Sequence, residues 1–491
     1  MNDFGRLSQA IGLPVYERSV SQAGTANYFL ARRGNDKLVG CWGQPCLPET
    51  SKAGELDGKC VCLGPLSHAN AQAIRAALSW TAPRKLGLAT SIGMGDRLGL
   101  ATPGHIRAIR GTGMLGVLAQ QSMREMGRTQ RTPENVIDAA TWGVLQEGHK
   151  DGFGADGDHL QKLEDLDVTV PAGFTMFTID PGAHVNGNAD AMTPAELSRA
   201  YETLDFSSLA ITSGELRMMY VSRNFKLADG SKLDFDEVSL MRAAVKYGHA
   251  IAHVARMYNR LVAMRGEAFE LEVSVDETQT PTSPAEHYFF ASELRRLNVK
   301  WVSMAPRFVG RFEKGVDYIG DLSAFRESFA RHVVVMRTLG PYKMSIHSGS
   351  DKFSIYPIIA ELAGDLVHLK TAGTSWLEAL RAVAAIDPQL FRGMLGFACE
   401  RYETDKLSYH VSADVAKVPP AAGMDDAALV GLLEDFHARE VLHVTFGSIL
   451  TADDGQRFKT GLYKALQSSE EVYYDMLQRH LGKHAAPFAR K

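Results

Sequence analysis

The chain has 491 residues, 45% of them hydrophobic and 22% charged, with a formal net charge of −4. That length holds one large α/β barrel with additions, or two to four ordinary domains, and the balance is that of a soluble globular protein. The weak negative charge gives no reason to expect nucleic acid or an anionic membrane as partner, no apolar run nears the ~20 residues of a membrane span, and the opening MNDFGRLSQA lacks a secretory pattern, so a cytoplasmic protein is expected.

Residues 1–82 read as a mixed α/β segment. ANYFLARR and KLVGCWG suggest strands, and SHANAQAIRAALSW has helical spacing after a serine N-cap. Five cysteines, an odd number thinly spread over 491 residues, do not make a disulfide framework. Cys41, Cys46, Cys60 and Cys62 have C-x4-C and C-x-C spacings, unlike the paired C-x2-C knuckles of common zinc sites, so buried free thiols are expected there.

From residue 83 a strand–helix rhythm sets in. Strands are predicted at 85–91, 116–122, 152–159, 173–180, 269–277, 299–306, 343–347 and 365–371. Helices between them begin with Thr-Pro or Ser-Pro, as at Thr102-Pro103, where Thr102 is the expected N-cap. A helical insertion occupies about 188–266. Eight strands alternating with helices predict a (β/α)8 barrel over 83–380, followed by a helical extension over 381–491. A doubly wound open sheet is the alternative, but no G-x-G-x-x-G stands at a strand end.

A barrel carries its site at the C-terminal ends of its strands. Here those ends bring Asp96 and Arg97, then Gln120, Gln121 and Ser122, then Asp156, Asp158 and His159, then Asp180. On the fifth strand Glu272, Ser274 and Asp276 share one face, while Leu271, Val273 and Val275 form the apolar other face. Arg307, His347 with Ser348, and Lys370 with Thr371 complete a polar ring. Burying such carboxylates unpaired costs several kcal/mol, so basic partners, a substrate or a metal must compensate. Two histidines and a carboxylate from separate strands suit Zn²⁺, Mn²⁺ or Ni²⁺, and His159, Glu272 and His347 are the expected ligands, with Asp158 or Asp276 as substitutes. The plainer reading is that these histidines only hydrogen-bond carboxylates in a polar core. His249 and His253 are spaced as a helical metal pair, but an amphipathic helix surface accounts for them, and His105, His287 and His332 are expected to be structural or exposed.

The runs GDRLGLATPGHIRA, AQQSMREMGRT, ADGDHLQ, FTMFTIDPG, VSVDETQTPTSPAEHY, APRFVGRFEKGVDYIGD, SIHSGSDKFSIYP and YHVSAD resemble the tagaturonate epimerase family over about residues 85–415. The resemblance implies a metal-dependent enzyme interconverting D-tagaturonate and D-fructuronate at C4, and retro-aldol cleavage with aldol closure is the chemistry we infer for inverting that carbon. That chemistry needs a base, for which Asp276 or Asp96 is expected, and a cation for the uronate carboxylate, for which Arg97, Arg307 or Lys370 is expected. Gln120, Gln121, Asp180 and Ser348 remain as substrate hydrogen-bonding groups. In DPGAHVNGN, Ala183 and His184 stand where the family leads one to expect an acidic residue.

Two other readings follow from the same residues. One is a metal-dependent aldolase or isomerase acting on another ketose or ketonate. The other is a sugar-binding or sensing barrel without turnover. The long helical stretch 235–261 is expected to pack internally or at a subunit interface, which admits a homo-oligomer. Tyr409 or His410 is expected to reach the rim of the barrel.

Overall fold

In a computed structural model that describes residues 3–489, a short helix, Asp3–Ile11, leads into an antiparallel sheet. Its strands are β1 (Ser21–Ala23), β2 (Ala26–Arg33), β3 (Asp36–Trp42), β4 (Ser51–Leu56) and β5 (Lys59–Pro65), ordered β1-β2-β3-β5-β4. The next helix, His68–Ala77, starts at Ser67, whose side chain accepts the Asn70 N–H. One face of the sheet packs Tyr28, Leu30 and Val39 with Trp142 and Leu145 of the barrel helix Pro133–Glu147.

The barrel strands are β6 (Ser91–Gly93), β7 (Leu115–Ser122), β8 (Gly154–Leu160) and β9 (Met176–Ile179). After an insertion containing the small hairpin β10 (Asn224–Lys226) and β11 (Lys232–Asp234), they continue as β12 (Glu270–Ser274), β13 (Ser303–Ala305), β14 (Lys343–Ile346) and β15 (Val367–Lys370). All eight pair in parallel and close through β15 and β6, where Lys370 lies opposite Gly93. The expected (β/α)8 barrel is the observed fold. Alternation along β12 turns Leu271 and Val273 toward the surrounding helices and Glu272 and Ser274 into the barrel, all four buried.

Two local expectations are corrected. The run 85–91 is mostly not a strand: the N–H groups of Leu86 and Gly87 donate to the Glu270 carboxylate, and β6 begins only at Ser91. Thr102 is not an N-cap but the first residue of the helix Thr102–Ile109, with no side-chain cap. Its side chain is instead buried where a Cβ added at Gly143 would lie 2.4 Å from it.

The insertion carries helices Pro194–Glu202, Ser213–Tyr220 and the 29-residue Glu237–Arg265, which starts at an Asp236–Ser239 capping box. His249 is exposed on that last helix, but His253 is buried and stacks on His184 at 4.2 Å between ring centroids. After helix Thr374–Ile386 the described residues are helical or irregular as far as 489. The last long helix, Glu470–Ala485, lies so close to Thr102–Ile109 that a Cβ at Gly104 would meet the Leu477 Cβ at 2.7 Å. Among the described residues no helix is long and apolar enough to cross a membrane.

Candidate active site

The polar interior of the barrel is built in layers. At the bottom, Lys343 on β14 donates to Ser91 Oγ at 2.9 Å, and Ser91 Oγ meets His368 Nδ1 at 2.9 Å. Burial pushes His368 down to about 3, so this imidazole is neutral.

The next layer centres on Lys370. Its ammonium lies 2.8 Å from Asp156, 2.6 Å from Asp158 and 2.9 Å from Glu272, and it donates to Thr178 Oγ1 at 2.7 Å. All of these side chains are buried. Burial opposes charge on the lysine, but three surrounding carboxylates outweigh it and hold its pKa well above the ordinary value. Lys370 is therefore the counter-charge of the barrel interior, with its donors already used.

Above it, His159 and His347 face each other with ring centroids 5.0 Å apart. His347 presents Nε2 to Glu272 Oε1 at 2.6 Å and Nδ1 to Asp276 Oδ1 at 3.1 Å. His159 presents Nδ1 to Asp158 at 2.7 Å, while its buried Nε2, 3.6 Å from Asp276, has no hydrogen-bond partner. Burial disfavours charge on both rings, yet the adjacent carboxylates raise both pKa values, Asp158 chiefly at His159 and Asp276 chiefly at His347. His159 and Ser348 both hold φ near +50°, a left-handed conformation uncommon for side-chain-bearing residues and concentrated at functional sites.

One donor atom each from His159, Asp276 and His347 lies within 4.8 Å of the others. Two imidazoles and a carboxylate with an orphaned nitrogen suit a borderline divalent cation such as Zn²⁺, Mn²⁺ or Ni²⁺. Glu272, the carboxylate expected from the sequence as the third ligand, lies one layer deeper. It accepts Ser303 Oγ–H at 2.5 Å and orients His347 from behind, the arrangement in which a carboxylate fixes a ligating histidine.

The cavity over this layer is walled by Gln120, Arg124, Glu277, Lys314, Ser348 and Tyr409, among others, and extends past Arg307 toward Phe312 and His410. Gln120 points inward with neither amide atom satisfied, over Gly93, where any Cβ would stand 1.6 Å from its Oε1. Lys314 donates to Ser348 Oγ at 2.6 Å. Lys314 and Arg124 each lie 3.7 Å from Glu277.

Against this geometry, a family model described as tagaturonate epimerase (UxaE) matches residues 16–487. A tagaturonate/fructuronate epimerase from Thermotoga maritima is 40% identical over 483 residues, 98% of this chain and 97% of that protein. The chain belongs to the tagaturonate epimerase family. A glycerol complex of the fructuronate-tagaturonate epimerase UxaE from Cohnella laeviribosi is 37% identical with a TM-score of 0.92, covering 99% of this chain and 98% of that one. The native crystal structure of the same protein matches with the same identity, TM-score and coverage. As a member of this epimerase family the chain is an enzyme, a carbohydrate epimerase of the isomerase class.

Several residues that the sequence offers to an epimerase site stand elsewhere. Asp96, expected as a base, accepts the N–H groups of Leu98 at 3.1 Å, Gly99 at 2.7 Å and Ala101 at 2.8 Å, so it caps a loop outside the cavity. Gln121, one residue past inward-facing Gln120, points away and accepts from Arg131 at 3.2 Å. Arg97 lines the cavity but is taken by Glu125 at 2.7 Å and stacks 3.7 Å over Phe446. Arg307 lies in the outer extension and donates to the Thr278 carbonyl. Asp180 accepts from Gln161 at 2.8 Å, and one of its oxygens lies within 4.8 Å of donor atoms of His159 and Glu277.

The loop carrying Ala183 and His184 lines neither part of the cavity. His105, His287 and His332 are buried, with His105 bonded to Ser375 at 2.6 Å and the other two to each other at 3.0 Å. Lys314, Glu277 and His443 line the cavity and were not singled out from the sequence. Lys314 and Glu277 lie in the runs that resemble the family, whereas His443 comes from a C-terminal helix outside them and nothing in the sequence pointed to it.

Proposed function

We propose that the chain inverts C4 of a hexuronate ketose, interconverting D-tagaturonate and D-fructuronate, with a divalent cation held by His159, Asp276 and His347. The observation that carries this reading is the meeting of those three donors around an unpartnered His159 Nε2, in a chain whose full-length relatives bear that name.

The C4 proton is not α to the C2 carbonyl, so enolisation cannot invert that centre. Breaking the C3–C4 bond can. Glu277 is exposed in the cavity, with its cationic neighbours at 3.7 Å rather than in tight hydrogen bonds, and it takes the O4 proton. As C4 becomes an aldehyde carbon, the C3–C4 electron pair passes into an enediolate across C2 and C3. The aldehyde turns its other face, the bond re-forms, and Glu277 returns the proton to O4. His159, Asp276 and His347 would hold a divalent cation, which would supply polarisation of the C2 carbonyl and offset the negative charge. Gln120 hydrogen-bonds the sugar through its free amide, and Lys314 with Arg124 attracts the uronate carboxylate.

The test is NMR-monitored incubation of metal-loaded protein with each sugar acid beside an EDTA-treated control. Interconversion that EDTA abolishes and Mn²⁺, Zn²⁺ or Ni²⁺ restores supports the reading. Three-carbon fragments without a C4 epimer would replace it with an aldolase, and no conversion with any metal would sink it.

A further inference from the structure

None of the five cysteines plays a part in this chemistry, and four of them lie within residues 41–62. The fold gathers them in a way their spacing conceals. β3 and β5 are antiparallel neighbours, and their register sets Cys41 directly opposite Cys62. Cys60 lies two residues before Cys62 and so on the same face of β5. The loop after β3 then folds Cys46 back over that face, its sulfur 3.6 Å from Cys62 Sγ. Cys60 Sγ is 3.4 Å from Cys62 Sγ, and the sulfurs of Cys41, Cys46 and Cys62 all lie within 4.8 Å of one another.

We propose that Cys41, Cys46, Cys60 and Cys62 form a structural site for a thiophilic divalent cation, best zinc, that ties the loop after β3 to the N-terminal sheet.

Three features carry this beyond a chance grouping of thiols. A tetrahedral zinc with bonds of ~2.3 Å sets its sulfurs ~3.8 Å apart, and the two measured separations already approach that edge. The Leu47 N–H donates to Cys41 Sγ at 3.4 Å, as backbone amides do to metal-bound thiolates. Cys46 and Cys60 are half-buried while Cys41 and Cys62 are buried, which leaves an entry path on one side and a closed floor on the other.

Protonation is consistent with this arrangement. Burial and the neighbouring thiols push Cys62 up to about 12 and raise Cys46. Each sulfur that coordinates releases its proton to solvent, so occupancy rises with pH. No electron transfer is involved. The site is independent of the proposed epimerase chemistry, because its ligands are sulfurs of the sheet and not side chains of the barrel.

The test uses the full chain loaded with Co²⁺. Tetrahedral thiolate ligation gives sulfur-to-cobalt charge-transfer bands in the near ultraviolet, which the histidine and carboxylate ligands of the barrel cannot produce. We expect those bands in the wild type, their loss in Cys46→Ser and in Cys60→Ser at half-buried positions, and their survival in His159→Ala. Metal analysis of zinc-loaded protein is expected to lose about one equivalent per chain in each cysteine variant. Wild-type protein lacking the charge-transfer bands would overturn the proposal, as would four thiols reacting freely with Ellman's reagent in zinc-replete native protein. Mass-spectrometric detection of a disulfide among these residues would overturn it as well.

Discussion

The Asp351 carboxylate lies 2.8 Å from the Arg439 guanidinium, tying the loop after β14 to a helix of the C-terminal segment. The same carboxylate meets His480 on the last long helix, and the backbone N–H of Asp351 donates to His484 at 2.8 Å. Ser348 and Ser350 of this loop wall the cavity, so an ion pair outside the site holds part of the site in place. Both charges are buried, and removing one leaves the other uncompensated.

Asp351→Asn is therefore expected to lower unfolding free energy by about 3–5 kcal/mol, read from urea denaturation at neutral pH. Burial works against the charged Asp351, but Arg439 and His480 prevail and hold its pKa well below the ordinary carboxylate value. With a depressed folded pKa, its stabilisation is present above the unfolded value of ~3.9 and is lost as pH falls below it. The wild type should lose stability steeply below about pH 4 and Asp351→Asn less so. Parallel acid-unfolding curves would refute this role.

Glu440 has the opposite sign. Burial and the neighbouring Glu313 carboxyl push it up to about 8, while the N–H groups of Ser412 and Ala413 donate to it. A raised carboxyl pKa favours the protonated form in the fold, so its stabilisation is full below the unfolded value of ~4.3 and is lost as pH rises toward 8. Glu440→Gln keeps an acceptor and removes the titration. Thermal melts between pH 5 and 9 should fall less with rising pH in this variant, and an unchanged slope would count against the assignment.

Asp276 and Glu272 should separate as ligand and orienting group. Asp276→Ala is expected to abolish both epimerisation and tight metal binding at the barrel. Glu272→Gln should weaken metal affinity by about 10–100-fold while leaving measurable turnover at saturating metal. Isothermal titration with Mn²⁺ distinguishes them, and a greater loss from Glu272→Gln than from Asp276→Ala would restore Glu272 as the ligand.

Lys314→Ala removes the lysine that bridges Ser348 and faces Glu277 in the cavity. If it attracts the uronate carboxylate, the KM for D-tagaturonate should rise about 10- to 100-fold, equivalent to about 1.5–3 kcal/mol for a hydrogen bond to a charged group. The matching neutral ketose should be affected far less. Equal effects on both sugars would remove the carboxylate role.

Gly93→Ala tests the floor of the cavity. The new methyl would collide with the inward amide of Gln120 and displace it, so activity should fall while the protein still folds, with an expected loss of about 1–3 kcal/mol. A fully active variant would mean that Gln120 has no part in the site.

Period-two alternation and Pro-led helix starts are local, and they were enough to read the barrel and the inward face of β12. The opening of β6 was misjudged because Glu270, nearly two hundred residues away, captures the backbone N–H groups that a strand over 85–91 would have used in its ladder. Asp96 was misread for a related reason. An aspartate after a strand is equally a base or a loop cap, and only the turn geometry around Gly99 decides.

By itself the sequence determined the eight-strand barrel, the family, and the presence of His159, Glu272, Asp276 and His347 in one polar interior, because side-chain alternation and strand-end position are properties of short stretches. Tertiary structure alone decided which carboxylate meets both histidines, since that depends on the stagger between strands paired across a hundred residues, as Glu272 is with Thr178. It also decided that Lys370 is spent on three carboxylates, that Lys314 reaches the cavity, and that Cys41 faces Cys62. Each is a contact between segments whose separation in the chain carries no information about their distance in space.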